Sequence, residues 1–175
     1  MNKKLAIYPG TFDPITNGHL DLIERGLRIF DELIIAVAPS TKKQPLFDLL
    51  ERIAMIRDAV RKYKNVKVES FHGLLVEYAR SKGGVAVIRG MRAVSDFENE
   101  FQMALMNRRL DMSIETVFLM PSVEYSFLSS TIVKEVASFG GSIEDLVPAA
   151  VEIALREKFN ILQDMGGNQP IQKTP

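Results

Sequence analysis

The chain contains no cysteine, so neither a disulfide nor thiolate chemistry is open to it. It has only two histidines, His19 and His72, far apart in sequence, and no carboxylate cluster at metal-ligand spacing. A metal site built from protein side chains is therefore not expected. Charge of one sign is not in excess: Lys+Arg and Asp+Glu are both 22, for a formal net charge of zero. A general nucleic-acid binder usually carries a basic surplus, so that class is set aside, although a local basic cleft stays open. No apolar run approaches the ~20 residues of a membrane helix. No signal pattern appears at the start, where Met1-Asn2-Lys3-Lys4 runs straight into a short apolar segment. No nucleic-acid partner and no membrane partner are expected, and the location is expected to be cytoplasmic. Walker A, GxGxxG and GxSxG patterns are also missing.

What remains is a globular composition, 46% hydrophobic over 175 residues, enough for one domain with a sizeable core. Short apolar runs alternate with helical patterns about five times along the chain. Strands are expected at Leu5–Tyr8, Leu33–Ala38, Val66–Phe71, Val85–Ile88 and Glu115–Met120. Helices are expected from about Gly18, over Asp48–Tyr63, Leu74–Lys82, Asp96–Leu110 and Ser129–Phe139, and from Pro148 to about Phe159. In the fourth helix Phe97, Phe101, Ala104 and Leu105 are expected to face inward. This alternation predicts an α/β fold, a doubly wound five-stranded parallel sheet with helices on both faces. One domain is expected over 1–160. The segment 161–175 is read as a disordered tail, its last ten residues rich in Gly, Asn, Gln and Pro without periodicity.

Three segments carry the chemistry. The first is GTFDPITNGH, Gly10 to His19, between the first strand and the first helix. Open α/β sheets place their ligands there, and a helix N-terminus with unpaired N–H groups favours phosphate. Gly18 removes a side chain where a flat ligand could lie, and His19 adds a donor; Thr16 could serve simply as the N-cap. The second is Ile88-Arg89-Gly90-Met91-Arg92, two arginines flanking a glycine after a strand, suited to phosphate oxygens. The third is EYSFLSSTIVKEV, Glu124 to Val136, where Ser129, Ser130 and Thr131 open a helix and Lys134 follows one turn later. One hydroxyl suffices for a cap; three exceed that need.

The first segment resembles the signature of the HxGH nucleotidyltransferase superfamily, with Thr16 in place of the first histidine. In their order and spacing the three segments resemble the phosphopantetheine adenylyltransferase family, from about Lys4 to about Phe159. The resemblance implies a Rossmann-like domain, here 1–160. It also implies transfer of AMP from ATP to 4′-phosphopantetheine, giving dephospho-coenzyme A and pyrophosphate, with Mg²⁺ and in a homohexamer. It implies His19, Lys43 and Arg92 as the catalytic residues. Thr11, Phe12, His19, Gly90, Met91, Arg92 and Glu100, with the run Tyr125, Ser126, Phe127, Leu128, Ser129, Ser130 and Thr131, would contact ATP. Thr11, Lys43, Leu75 and Arg89 would hold the acceptor. Mg²⁺ would ride on the ATP phosphates.

The chemistry of the residues is consistent with this. A phosphate monoester with a second pKa of ~6 is largely ionised near neutral pH and needs no general base. Two alternatives stay open on the residues alone. A relative taking nicotinamide mononucleotide or glycerol phosphate would share the first loop. A nucleotide sensor could keep the pocket without His19.

Overall fold

A computed structural model of the chain describes residues 3–39, 44–92 and 94–165. Five strands form one parallel sheet: β1 (Leu5–Gly10), β2 (Glu32–Val37), β3 (Val66–Ser70), β4 (Ala86–Gly90) and β5 (Glu115–Leu119). Their order across the sheet is β3-β2-β1-β4-β5. The helices are α1 (Asn17–Gly26), α2 (Leu49–Ala59), α3 (Leu75–Ser81), α4 (Val94–Leu110), α5 (Ser130–Ser138) and α6 (Ala149–Met165). The expected α/β architecture is therefore present. The fifth parallel strand, β5, lies beyond β4, so the order reverses between β1 and β4. A crevice opens at such a reversal, because the connections from the two strands leave to opposite sides.

The strands are near-continuous apolar runs because both faces are covered. Side chains alternate across the sheet. Ala6, Tyr8, Leu33, Ile35, Val37 and Ile88 join the larger core with residues of α1, α2, α5 and α6. Ile7, Ile34, Ala36 and Val87 join a smaller core with Val76 and Ala79 of α3 and Ile114.

Three expectations are corrected. Phe97, Phe101 and Leu105 do not face inward; they are 46%, 46% and 53% exposed. Helix α4 instead turns Ala104, the buried Asn107 and Glu100 toward β5, α3 and β4. That is a rotation of roughly a quarter turn, at about 100° per residue. Apolar residues lie on more than one side of this helix, so periodicity could not choose between them. The ion pair of Glu100 with Arg89 belongs to the side that won. Next, Arg89 and Gly90 do not lie beyond a strand but close β4. Last, α6 continues to Met165, past the end expected near Phe159, while the tail at 166–175 lies outside the described residues.

Candidate active site

The β1–α1 loop starts the site. Thr16 caps α1, its Oγ1 accepting from the His19 backbone N–H at 3.4 Å. The cap is reciprocal: the Thr16 backbone N–H donates to His19 Nδ1 at 3.0 Å. Asn17 anchors the helix start to the far end of the chain, its N–H to the Leu146 carbonyl and its amide to the Asp145 carbonyl. Phe12 lies in the left-handed region at φ 48°, a costly position for a large residue. It is held there by burial, edge-on to Tyr8 at 5.3 Å and to the His19 ring at 5.1 Å.

Two residues tie this loop to its neighbours. Asp13 is buried, and its carboxylate accepts from the N–H groups of Leu46 and Phe47 at 3.0 and 2.9 Å and from Lys134 Nζ at 2.5 Å. Burial alone would raise its pKa, but Lys134 and the two N–H groups outweigh this and hold it below the usual carboxylate range. Arg52, 2% exposed, spends its guanidinium on backbone carbonyls: Thr11 at 2.6 Å, Ala38 at 3.0 Å, Phe47 at 3.2 Å and Asp48 at 3.3 Å. Neither role could be read from sequence, because the partners are 30 to 120 residues away or are backbone atoms. Arg52→Met should lower stability by about 3 kcal/mol, since it strands several buried carbonyls, and the melting temperature by ~10 °C. Arg52→Lys should lose less, and calorimetric melting of both variants checks this.

The second segment meets the third above β4. Arg92 donates to the Leu128 carbonyl at 3.1 Å. Arg89 pairs with Glu100 through Nε at 2.6 Å and through Nη2, and its Nη1 donates to the Pro9 carbonyl at 3.1 Å. Gly90 lines the cleft, and a Cβ there would stand 2.4 Å from Leu22 Cδ1, so the packed leucine would have to shift. At Gly18 the opposite holds. A Cβ would make only ordinary contacts, the nearest 3.4 Å to Tyr125. The fold does not require glycine at 18; what its bareness keeps open is the cleft.

In the third segment the hydroxyls divide their work. Ser129 caps α5, accepting from the Ile132 N–H at 3.1 Å, and Ser130 donates to the Pro14 carbonyl at 2.7 Å. Thr131 is exposed at the mouth of the cleft.

All three segments line one cleft of about 490 Å³. Thr11, Phe12, His19, Gly90, Arg92, Glu100, Tyr125, Leu128, Ser129, Ser130 and Thr131 contribute to it, as do Asp13, Thr16 and Lys134. A second cavity of about 290 Å³, lined by Leu75, Phe71, Met103 and Asn107, adjoins it. Pro9, Gly10, Thr11, Arg89 and Glu100 stand on the wall common to both. Met91, Ser126 and Phe127 do not line either space; Met91 donates its N–H to Leu119, and Ser126 its hydroxyl to Val123. Lys43 lies outside the described residues.

The cleft gathers His19, Arg92 and Lys134 beside two carboxylates that are each already paired, Asp13 and Glu100. Burial first, and Arg92 second, push the His19 pKa down to about 4. Such a site can grip a polyanion and stabilise charge that grows on it.

Residues 7–136 match the cytidylyltransferase-like family. A phosphopantetheine adenylyltransferase of Thermodesulfovibrio yellowstonii is 62% identical over 89% of this chain and 98% of its own length. Those of Alkaliphilus oremlandii and Carboxydothermus hydrogenoformans are 60% and 55% identical, again over 89% of this chain. Among solved structures, a candidate nicotinate-nucleotide adenylyltransferase from Vibrio parahaemolyticus superposes with a TM-score of 0.66 over 90% of this chain and 95% of its own. At 20% identity that likeness speaks for the fold alone. With more than half of its residues shared over nearly the full length of such relatives, the chain belongs to the phosphopantetheine adenylyltransferase family.

Proposed function

We propose that the chain transfers the adenylyl group of ATP to 4′-phosphopantetheine, releasing pyrophosphate and leaving dephospho-coenzyme A, a step in making coenzyme A. The supporting observation is the pair of adjoining cavities with Thr11 and Arg89 on their common wall. The larger takes ATP, with its base against the bare backbone of Gly18 and its phosphates toward the α1 and α5 N-termini, Arg92 and Lys134. The smaller takes the pantetheine arm along Leu75, with the acceptor phosphate held by Arg89 and Lys43.

An oxygen of the acceptor phosphate attacks the α-phosphorus in line. The new P–O bond forms as the bond to the β-phosphate oxygen breaks, and pyrophosphate carries the electron pair away. The acceptor is already ionised, so no base is required. The work of the protein is alignment and charge stabilisation. His19 and Arg92 stabilise charge on the α-phosphate, and Lys43 draws the acceptor into line. Mg²⁺ bound to the ATP phosphates would offset the charge of the leaving pyrophosphate. Among the described residues no group of three or more His, Asp or Glu could hold a metal, and Asp13 and Glu100 are engaged with Lys134 and Arg89.

The test is incubation with ATP, Mg²⁺ and a panel of phosphorylated acceptors while pyrophosphate is monitored. Release with 4′-phosphopantetheine and not with nicotinamide mononucleotide or glycerol phosphate is expected. Release with one of the others in its place would overturn the reading.

The hexameric assembly rests on the family resemblance, and helix α4 supports self-association. Phe97, Phe101, Met103, Leu105, Met106 and Leu110 are each about half exposed there, apolar side chains that a neighbouring subunit would cover. Phe101→Glu should lower the mass seen by light scattering; an unchanged hexamer would move the interface elsewhere. No helix among the described residues is long and apolar enough to cross a membrane, and a cytoplasmic location suits an enzyme that draws on ATP.

A further inference from the structure

We infer that Thr16 is a positioning residue that fixes His19 as a neutral imidazole with its proton on Nε2, so that the reacting phosphate meets a directed N–H donor and not an imidazolium. The catalytic half of this inference rests on the adenylyl-transfer reading; the tautomer does not.

The geometry is that of a capping box with an unusual third residue. The Thr16 backbone N–H points at His19 Nδ1 at 3.0 Å, and the Thr16 hydroxyl lies 2.9 Å from the same nitrogen. A ring nitrogen that accepts a backbone N–H cannot carry a proton in that position. A neutral ring then holds its proton on Nε2. Thr16 is 1% exposed, so water has no access to replace these contacts. Glutamate or glutamine usually fills this place in the box, and their oxygens accept near neutral pH whatever the proton supply. An imidazole accepts only while Nδ1 is bare. The helix cap and the protonation state of His19 are therefore one device: protonating Nδ1 sets two donors face to face and opens the box.

The surroundings act in the same sense. From the other elements, Arg92 after β4 and Tyr8 of β1 are, among the described residues, the charged or titratable groups facing the ring. Arg92 repels an imidazolium, and burial raises the Tyr8 phenol so that it stays neutral. The folded imidazole thus refuses, down to about pH 4, a proton that the unfolded chain accepts near 6.5. Between those values the unfolded state binds more protons, so native stability falls as pH falls through that window. For catalysis, a neutral donor grips the ground-state triphosphate less than a cation does, and leaves more of its stabilisation for the transition state.

The chain has only two imidazoles, which makes the test direct. In protein labelled with ¹⁵N-histidine, His72→Gln leaves a single ring to observe; His72 is exposed and lines neither cavity. A long-range ¹H–¹⁵N spectrum should show a bare Nδ1 and a protonated Nε2, unchanged from about pH 5.5 to 8, given the shift to about 4. A proton on Nδ1, or a ring titrating near 6.5, would overturn the inference. Thr16→Val keeps the backbone N–H and the branched shape but removes the hydroxyl contact. It should lower kcat by about 5- to 10-fold, one hydrogen bond, with the KM for ATP little changed, and Thr16→Ser should restore most of the loss. A Thr16→Val protein that melts earlier yet keeps full kcat would make Thr16 a helix cap and nothing more. The expected tautomer in a protein that releases no pyrophosphate with any acceptor would sink the adenylyl-transfer reading and leave the tautomer standing.

Discussion

His19→Ala is expected to lower kcat by about 10²–10³ while ATP still binds. That is the usual cost of removing one preorganised donor from developing charge. The ring lines the cleft at the first turn of α1 and stacks edge-on against Phe12. The substitution deletes half of the reciprocal cap but leaves the Thr16 hydroxyl accepting from the residue-19 N–H, so the helix start persists. On the proposed reading Arg92, Lys134 and the α5 N-terminus still face the triphosphate. The loss should therefore fall on kcat, with little change in the ATP dissociation constant. Stopped-time assays of pyrophosphate release together with calorimetric titration of ATP separate the two. Near-normal kcat in a folded His19→Ala protein would remove the role given to His19.

Arg89→Ala should weaken the acceptor about 100-fold and ATP only a few-fold. Hydrogen bonds to charged groups contribute about 1.5–3 kcal/mol each, and a bidentate grip on phosphate uses more than one. The partner left behind adds to the effect. Glu100 now answers Arg89 through both carboxylate oxygens. Without the guanidinium its negative charge stands on the wall common to the two cavities, where the proposed reading puts the dianionic acceptor. Adding Glu100→Gln to Arg89→Ala should recover part of the acceptor affinity, because it removes the repulsion without restoring the grip. Titration calorimetry with each ligand decides the matter. Equal weakening of ATP and acceptor would overturn the division of labour between the two cavities.

Much of the site could be read before any coordinates. Gly18-His19 at the start of a helix, two arginines at the end of β4 and three hydroxyls opening α5 each follow from residue type and short-range spacing. They meet because parallel strands end on the same side of their sheet. The role of Glu100 could not be read that way. The resemblance implies only a nucleotide contact; that its carboxylate is held by Arg89 shows only in the fold. Asp13 and Arg52 were equally silent, since a buried carboxylate and a buried guanidinium look like surface charge until their partners are known. That a Cβ at Gly90 would meet Leu22 was likewise hidden.

By itself the sequence determined the strand and helix alternation, the all-parallel sheet that such alternation requires and the helix start that places His19. Those depend on local spacing and on backbone groups, which act over a few residues. The tertiary structure alone decided which side of α4 meets the sheet, that Arg89 and Lys134 are tied to carboxylates, and which nitrogen of His19 faces Thr16. These choices turn on contacts between residues far apart in the chain, where burial and pairing outweigh any local preference.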